Sequence, residues 1–141
     1  MSNLTRRAVL AGAALAATLA GTRAVRAGHR VMSVADARAA AVAGEMVLLD
    51  IRTPAEWADS GVPDVAEPLD MRAANFLRRI SELKEEQPAR MIGLICATGG
   101  RSDYVAKYLH SAGVEGVVNV AAGIHGRPDG WLASGLPVTR P

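Results

Sequence analysis

The sequence predicts an α/β fold in which a central parallel sheet of about five strands is flanked by helices on both faces. Two observations favour this class. Nearly continuous apolar runs of strand length, at 46–49, 91–95 and 117–120, alternate with segments of helical pattern. Strands that are covered on both faces are apolar throughout, and such strands are typical of parallel sheets. Half of the 141 residues are apolar and 21% are charged, which suits one domain with a substantial core.

The first 27 residues have the pattern of an export signal. Arg6 and Arg7 precede an Ala/Gly-rich apolar run at 8–20, and small residues then lead to a cleavage point after Ala27. The arginine pair resembles a twin-arginine signal, with ordinary secretory export as the alternative. Since a bilayer span needs about 20 residues, no stable membrane span is expected. We therefore expect a signal at 1–27, a folded domain at 28–141, and a periplasmic or secreted location.

Separating this leader changes the charge balance. Four of the 16 basic residues and none of the 14 acidic residues lie in 1–27, so the remainder has a formal charge of −2. The domain has no Lys/Arg stripe and no aromatic platform, and we expect no nucleic-acid binding. A single cysteine excludes an internal disulfide and a multi-cysteine metal site, and the histidines share no ligand spacing. We expect neither a metal nor another cofactor.

The first half of the domain is predicted as helix, strand, helix. Ser33 caps an Ala-rich helix that runs to Ala43. The strand at 45–51 follows. The segment 53–56 is a strong helix start, because a threonine cap, a proline in the first turn and a glutamate three residues later make a capping box. This short helix carries a tryptophan and ends near Gly61.

The second half continues the alternation of strands and helices. Its predicted elements, in chain order, are a short strand around 68–71, an amphipathic helix capped by Asn75, the strand 91–95, a helix capped by Ser102 and ended by Gly113, the strand 117–120, a loop at 124–130, and a short final helix with Trp131.

The only cysteine ends the strand 91–95 and begins a polar loop. A lone cysteine is commonly an inert core residue, but this one lies where a strand gives way to a helix start, and anions are stable there. Two glycines let the backbone curl so that its amides point at the sulfur. We expect these amides, the helix dipole and Arg101 to lower the pKa of Cys96 and make it a nucleophile. The stabilising loop comprises Ala97, Thr98, Gly99, Gly100, Arg101 and Ser102.

Charged residues around this loop have two interpretations each. Arg101 either attracts an anion to the sulfur or braces the loop by bonding its carbonyls. Asp50 and Arg52 end the neighbouring strand, and they support the site by pairing with each other or with the loop. Trp57 and Trp131 are interpreted as packing residues.

Four segments in order resemble the rhodanese family of single-domain sulfurtransferases, over roughly residues 31–139. They are the Asp-x-Arg segment 48–57, the Cys-x-x-Gly-x-Arg-Ser loop 96–102, the strand and small-residue turn 118–124, and the carboxyl-terminal segment 131–138. Two departures stand out. Gly61-Val62-Pro63 lacks a histidine that is common in the family, and the turn at 125–129 is longer than usual.

The resemblance implies sulfur transfer by double displacement at Cys96. A small anionic donor such as thiosulfate gives its sulfane sulfur to the thiolate, and cyanide, a small thiol or a protein acceptor then removes it from the persulfide. Cysteine phosphatases and related arsenate reductases have five residues between cysteine and arginine, whereas four separate Cys96 from Arg101. The smaller ring suits a sulfur atom better than a phosphoryl group. A non-catalytic sulfur carrier or redox-sensing module is the main alternative.

Overall fold

The computed structural model describes residues 29–141, so the predicted signal at 1–27 lies outside the described residues. Eleven helices and strands follow one another in this part of the chain. In chain order they are β1 (Arg30–Met32), α1 (Val34–Val42), β2 (Met46–Asp50), α2 (Pro54–Ser60), β3 (Val62–Pro63), β4 (Ala66–Pro68), α3 (Phe76–Glu86), β5 (Met91–Ile95), α4 (Gly100–Ser111), β6 (Val117–Val120) and β7 (Val138–Thr139).

Five strands form the central sheet in the order β1-β6-β5-β2-β4, and every neighbouring pair is parallel. The predicted fold class is therefore confirmed. Strand β1 was not predicted; it has only three residues, lies at the edge of the sheet and pairs with β6 alone. A separate antiparallel pair joins β3 to β7, with Val62 opposite Thr139.

Alternate residues of each strand lie on opposite faces of the central sheet, and both faces are buried. Leu49, Leu94 and Val117 pack in one core with residues of α3 and α4. Their immediate neighbours in the same strands, such as Leu48, Ile95 and Val118, pack in the other core with α1 and Trp131. This period of two explains why the strands have nearly continuous apolar sequences, since both of their faces are covered. The predicted packing role of Trp131 is confirmed by its complete burial.

Three local predictions are wrong. The short strand lies at Ala66–Pro68 instead of 68–71, because β4 begins its pairing with β2 at Ala66 opposite Leu48. Asn75 occupies the predicted N-cap position of α3, but its side chain makes no capping hydrogen bond, so only its expected capping contact is wrong. The predicted final helix is a series of turns. The amides of Trp131 and Leu132 donate to the carbonyls of Gly123 and Ile124, so the segment begins by bonding an earlier turn and does not form a continuous helical series of hydrogen bonds.

The topology places two predicted site segments side by side. Asp50 at the end of β2 lies opposite Ile95 at the end of β5, and the amide of Ile51 donates to the carbonyl of Ile95. Cys96 follows directly, at the edge of the sheet where parallel strands end and sites commonly form. Among residues 29–141, no helix has the length and apolar character needed to cross a bilayer.

Candidate active site

The sulfur of Cys96 is buried, with 1% of the residue exposed, and two backbone amides and one hydroxyl converge on it. The backbone N–H of Gly99 lies 3.2 Å from Sγ and that of Ser102 lies 3.4 Å from it. The hydroxyl oxygen of Ser102 is 3.3 Å away. A neutral thiol needs no such concentration of donors, whereas a thiolate accepts all three.

These contacts move the pKa of Cys96 below its ordinary value. Burial is the largest single influence and raises the pKa, because it disfavours the charged thiolate. The hydroxyl of Ser102 and the amides of Ser102, Gly99 and Thr98 act in the opposite direction, and together they outweigh burial. The net lowering has the direction that the sequence analysis expected. The cause of the lowered pKa is the set of N–H and O–H dipoles around the sulfur.

Backbone contacts from a neighbouring turn hold the cysteine loop in shape. The carbonyl of Cys96 accepts from the amide of Ile124 at 2.9 Å, and the carbonyl of Ala97 accepts from the amide of His125 at 2.8 Å. These two bonds fix the beginning of the loop, and the amides of Gly99 and Ser102 farther along the loop point at the sulfur. Gly99 has a φ of +94°, and a Cβ on it would collide with the carbonyl oxygen of Ala121. This position therefore requires glycine.

Ser102 is not the cap of α4, which corrects the sequence analysis. The cap is Gly99, three residues before the predicted cap, and its left-handed backbone lets the helix begin at Gly100. Ser102 consequently lies inside the first turn, fully buried. Its hydroxyl lies 3.3 Å from Cys96 Sγ and 3.2 Å from the carbonyl of Gly99, and its single proton can be donated to only one of them at a time. The residue thus gains a direct role at the sulfur that a cap would not have.

Arg101 does not brace the loop by bonding its carbonyls, and the hydrogen bonds of its guanidinium go to Glu56 instead, while its positive charge still interacts with Cys96. Its guanidinium pairs with the carboxylate of Glu56 through two bonds, Nη1 to Oε2 at 2.9 Å and Nη2 to Oε1 at 2.6 Å. The pair lowers the pKa of Glu56 to about 2, with the hydrogen bond from Arg101 as the largest cause. Sequence reasoning gave Glu56 only its capping-box role, which the structure also shows, since the carboxylate accepts from the amide of Thr53.

Asp50 and Arg52 pair with each other, fully buried, and do not contact the cysteine loop. Nε and Nη2 of Arg52 lie 2.9 and 2.7 Å from the carboxylate oxygens of Asp50. The same guanidinium donates to Ser60 Oγ and to the carbonyl of Gly61, both at 2.6 Å. The pair therefore fixes the end of α2 to the end of β2. Its support of the site is indirect, because α2 also carries Glu56.

The remaining residues of the predicted loop are at least partly exposed. Thr98 and Gly100 are exposed, and Ala97 is partly exposed. His125 is exposed beside the loop, and its backbone amide, not its ring, makes the contact with Ala97. An apolar groove adjoins this edge, lined in part by Met71, Phe76, Tyr104 and Tyr108. Within residues 29–141, no three metal-ligating side chains lie together.

The chain is similar to a known protein family and to several known proteins. The family model of the rhodanese-like domain matches residues 33–126. A sulfurtransferase from Allochromatium vinosum is 34% identical over 97 residues, which span 69% of this chain and 81% of that protein. The chloroplastic thylakoid rhodanese-like protein of Oryza sativa subsp. indica is 31% identical over 103 residues, 67% of this chain and 21% of that much longer protein.

Solved structures share the fold. The crystal structure of Rv0390 from M. tuberculosis has a TM-score of 0.65 at 24% identity, over 82% of this chain and 100% of that one. The solution structure of the polysulfide-sulfur transferase homodimer from Wolinella succinogenes has a TM-score of 0.62 at 24% identity, over 80% of each chain. At these identities the similarity establishes the architecture alone.

Proposed function

Because the chain belongs to the rhodanese-like domain family, we propose that it is a sulfurtransferase that carries a sulfane sulfur as a persulfide on Cys96. The family match and the sulfurtransferase relative support sulfur transfer as the general activity. The convergence of two amides and one hydroxyl on a buried sulfur supports the choice of Cys96 as the carrier. That convergence is the observation that carries the proposal.

The first half-reaction forms the persulfide. The Cys96 thiolate attacks the outer sulfur of a donor such as thiosulfate, and a new S–S bond forms at Cys96. The S–S bond of the donor breaks, and its electron pair leaves with sulfite. Cys96 needs no separate base at the moment of attack when it is already deprotonated, and its lowered pKa increases the fraction of the thiolate.

The second half-reaction regenerates the thiolate. Cyanide or a thiolate attacks the outer sulfur of the persulfide, and the electron pair of the breaking S–S bond returns to Cys96. Thiocyanate or an acceptor persulfide leaves, so no oxidant or reductant is consumed. The donors from Gly99 and Ser102 stabilise the returning negative charge at the place where it appears.

The size of the cradle supports sulfur over phosphate chemistry. Four residues separate Cys96 from Arg101, and the amides of Gly99 and Ser102 point at Sγ itself. A phosphatase loop needs its donors around the oxygens of a phosphoryl group that sits beyond the sulfur. In addition, the arginine that would clamp such oxygens is occupied by Glu56.

Intact mass after thiosulfate treatment is the first test. The wild-type protein should gain ~32 Da, the mass of one sulfur on the nucleophile, and Cys96→Ser should gain nothing while keeping the wild-type fold by circular dichroism. Catalytic production of thiocyanate from thiosulfate and cyanide should then disappear in the same variant. A persulfide without multiple turnover would identify a sulfur carrier instead of an enzyme, and persulfide on neither protein would reject both.

We also propose that the protein acts outside the cytoplasm, as a periplasmic or secreted protein. The support is the twin arginine pair and apolar run at the amino terminus. Replacing Arg6 and Arg7 with lysine should leave the protein in the cytoplasmic fraction. Unchanged export would contradict the twin-arginine route.

A further inference from the structure

The ion pair between Glu56 and Arg101 joins α2 to α4. Both oxygens of the carboxylate bind the guanidinium, and Oε2 also accepts from the amide and hydroxyl of Thr53 at 3.0 Å each. The carboxylate is thereby held in one orientation. We propose that Glu56 is a positioning residue for Cys96, acting through Arg101 on the first turn of α4. The role in turnover rests on the proposed function.

Few side chains hold the start of α4: apart from Arg101, Oδ1 of Asp103 lies 2.9 Å from Nε2 of His29, and the hydroxyl of Ser102 contacts the cysteine loop itself. The cap of this helix is Gly99, which makes no side-chain hydrogen bond, and its first residue is Gly100, around which nothing lies within 4 Å of a Cβ position. Arg101 is the first side chain of the helix that contacts a neighbouring element. Glycine is the least restrained residue of a chain, so a helix that begins with two of them depends on such an anchor. The two amides on Sγ belong to Gly99 and Ser102, on either side of this stretch.

The other end of the anchor is rigid. Arg52, buried and paired with Asp50, donates to Ser60 Oγ and the carbonyl of Gly61, and so fixes the last turn of α2 to the sheet. Glu56 lies in the first turn of this two-turn helix. A continuous set of contacts therefore runs from the end of β2 through α2 to the amides that face Cys96. Misplacement of those amides by a fraction of an ångström weakens the hydrogen bonds that stabilise the thiolate.

Glu56→Asp separates position from charge. Aspartate keeps the negative charge, but it is shorter by one methylene and cannot reach both guanidinium nitrogens while it accepts from Thr53. We expect the pH midpoint of Cys96 alkylation by iodoacetamide to rise and kcat with thiosulfate to fall roughly tenfold, with KM changed less. Arg101→Lys, which keeps the positive charge but loses the two-nitrogen fork, should raise the alkylation midpoint in the same way.

Glu67 offers a matched control. It forms the same two-bond pair with Arg79, at 2.8 and 3.0 Å, and its side chain is 36% exposed compared with 32% for Glu56. This pair joins β4 to α3, away from the cysteine loop. Glu67→Asp should therefore cause a similar change in melting temperature and leave the alkylation midpoint unchanged.

Glu56→Gln distinguishes positioning from direct charge. If Glu56 acts only by its negative charge near the sulfur, Glu56→Asp will alkylate like wild type and Glu56→Gln will have a lower midpoint, and the proposal is then wrong. It is equally wrong if the Glu56→Asp and Glu67→Asp midpoints coincide. The alkylation readout does not require sulfur transfer, so the positional effect can be judged even if the wild type forms no persulfide and the proposed function fails.

Discussion

Replacing Ser102 with alanine removes one of three donors from the Cys96 sulfur and leaves the other two in place. The hydroxyl lies 3.3 Å from Sγ, and the amide of the same residue, at 3.4 Å, survives the substitution. Loss of the hydroxyl does not leave the carbonyl of Gly99 without a hydrogen bond, because this carbonyl also accepts from the amide of Asp103 at 3.0 Å. The fold should therefore tolerate the change.

The size of the effect follows from what the hydroxyl does in each protonation state. Facing a thiolate it must donate to sulfur, and it then gives up its bond to the carbonyl of Gly99. A hydrogen bond to a charged group is worth about 1.5–3 kcal/mol, and the lost carbonyl bond offsets about 1 kcal/mol of that. The net loss of roughly 0.5–2 kcal/mol corresponds to a decrease of about two- to thirtyfold in thiolate at a pH below the pKa.

The rate of alkylation by iodoacetamide, measured across pH, reports this change. Ser102→Ala should shift the profile to higher pH and lower the rate at neutral pH by the factor above. Ser111→Ala is the control, since that hydroxyl bonds the carbonyl of Tyr108 at the far end of the same helix and does not reach the site. If the profiles of Ser102→Ala and wild type coincide, the hydroxyl does not donate to the thiolate, and the origin assigned to the lowered pKa is wrong.

Three further predictions concern stability. Gly99→Ala should cost at least about 2 kcal/mol in urea unfolding, because its backbone is left-handed and a Cβ meets a carbonyl, whereas Gly100→Ala should be nearly neutral; equal effects would contradict this account. Arg52→Met should cost about 3–5 kcal/mol by leaving Asp50 buried and unpaired, and a near-neutral result in the same assay would refute that. The pKa of Glu56 is lowered from 4.5 to about 2, so its ion pair contributes fully to the free energy of unfolding above pH 4.5, and this contribution is lost as the pH falls through 2. Glu56→Gln should therefore make the free energy of unfolding less dependent on pH between these two values.

Local signals in the sequence were sufficient for much of the fold. The capping box at 53–56 is contained in four consecutive residues, and the structure shows both of its hydrogen bonds. The strands β2 and β5 are covered on both faces, so their apolar sequences identified them and placed the cysteine at a strand end. In contrast, β1 has three residues and no such run, and only its pairing with β6 makes it a strand.

The candidate site was predictable as a location but not as a set of contacts. Glu56 and Arg101 are 45 positions apart, and nothing in either local sequence indicates that they meet. Ser102 was expected at the helix cap because hydroxyl residues prefer that position, yet the left-handed backbone of Gly99 decided where the helix begins. The sequence also left open whether Asp50 and Arg52 pair with each other or with the loop, and only the tertiary structure shows that they pair with each other.

The charges at this site are arranged in pairs, and this bears on how the thiolate is stabilised. Arg52 is neutralised by Asp50, and Arg101 by Glu56, so neither guanidinium faces the sulfur as an unpaired cation. The stabilisation of negative sulfur must then come mainly from the fixed dipoles of the loop amides and the Ser102 hydroxyl. Dipoles act only at short range and in good alignment, whereas a free cation acts at a distance. In the proposed role of Glu56, its ion pair with Arg101 serves the chemistry by holding the start of α4 in place, and we therefore expect the accuracy of that placement, more than net charge, to determine the reactivity of Cys96.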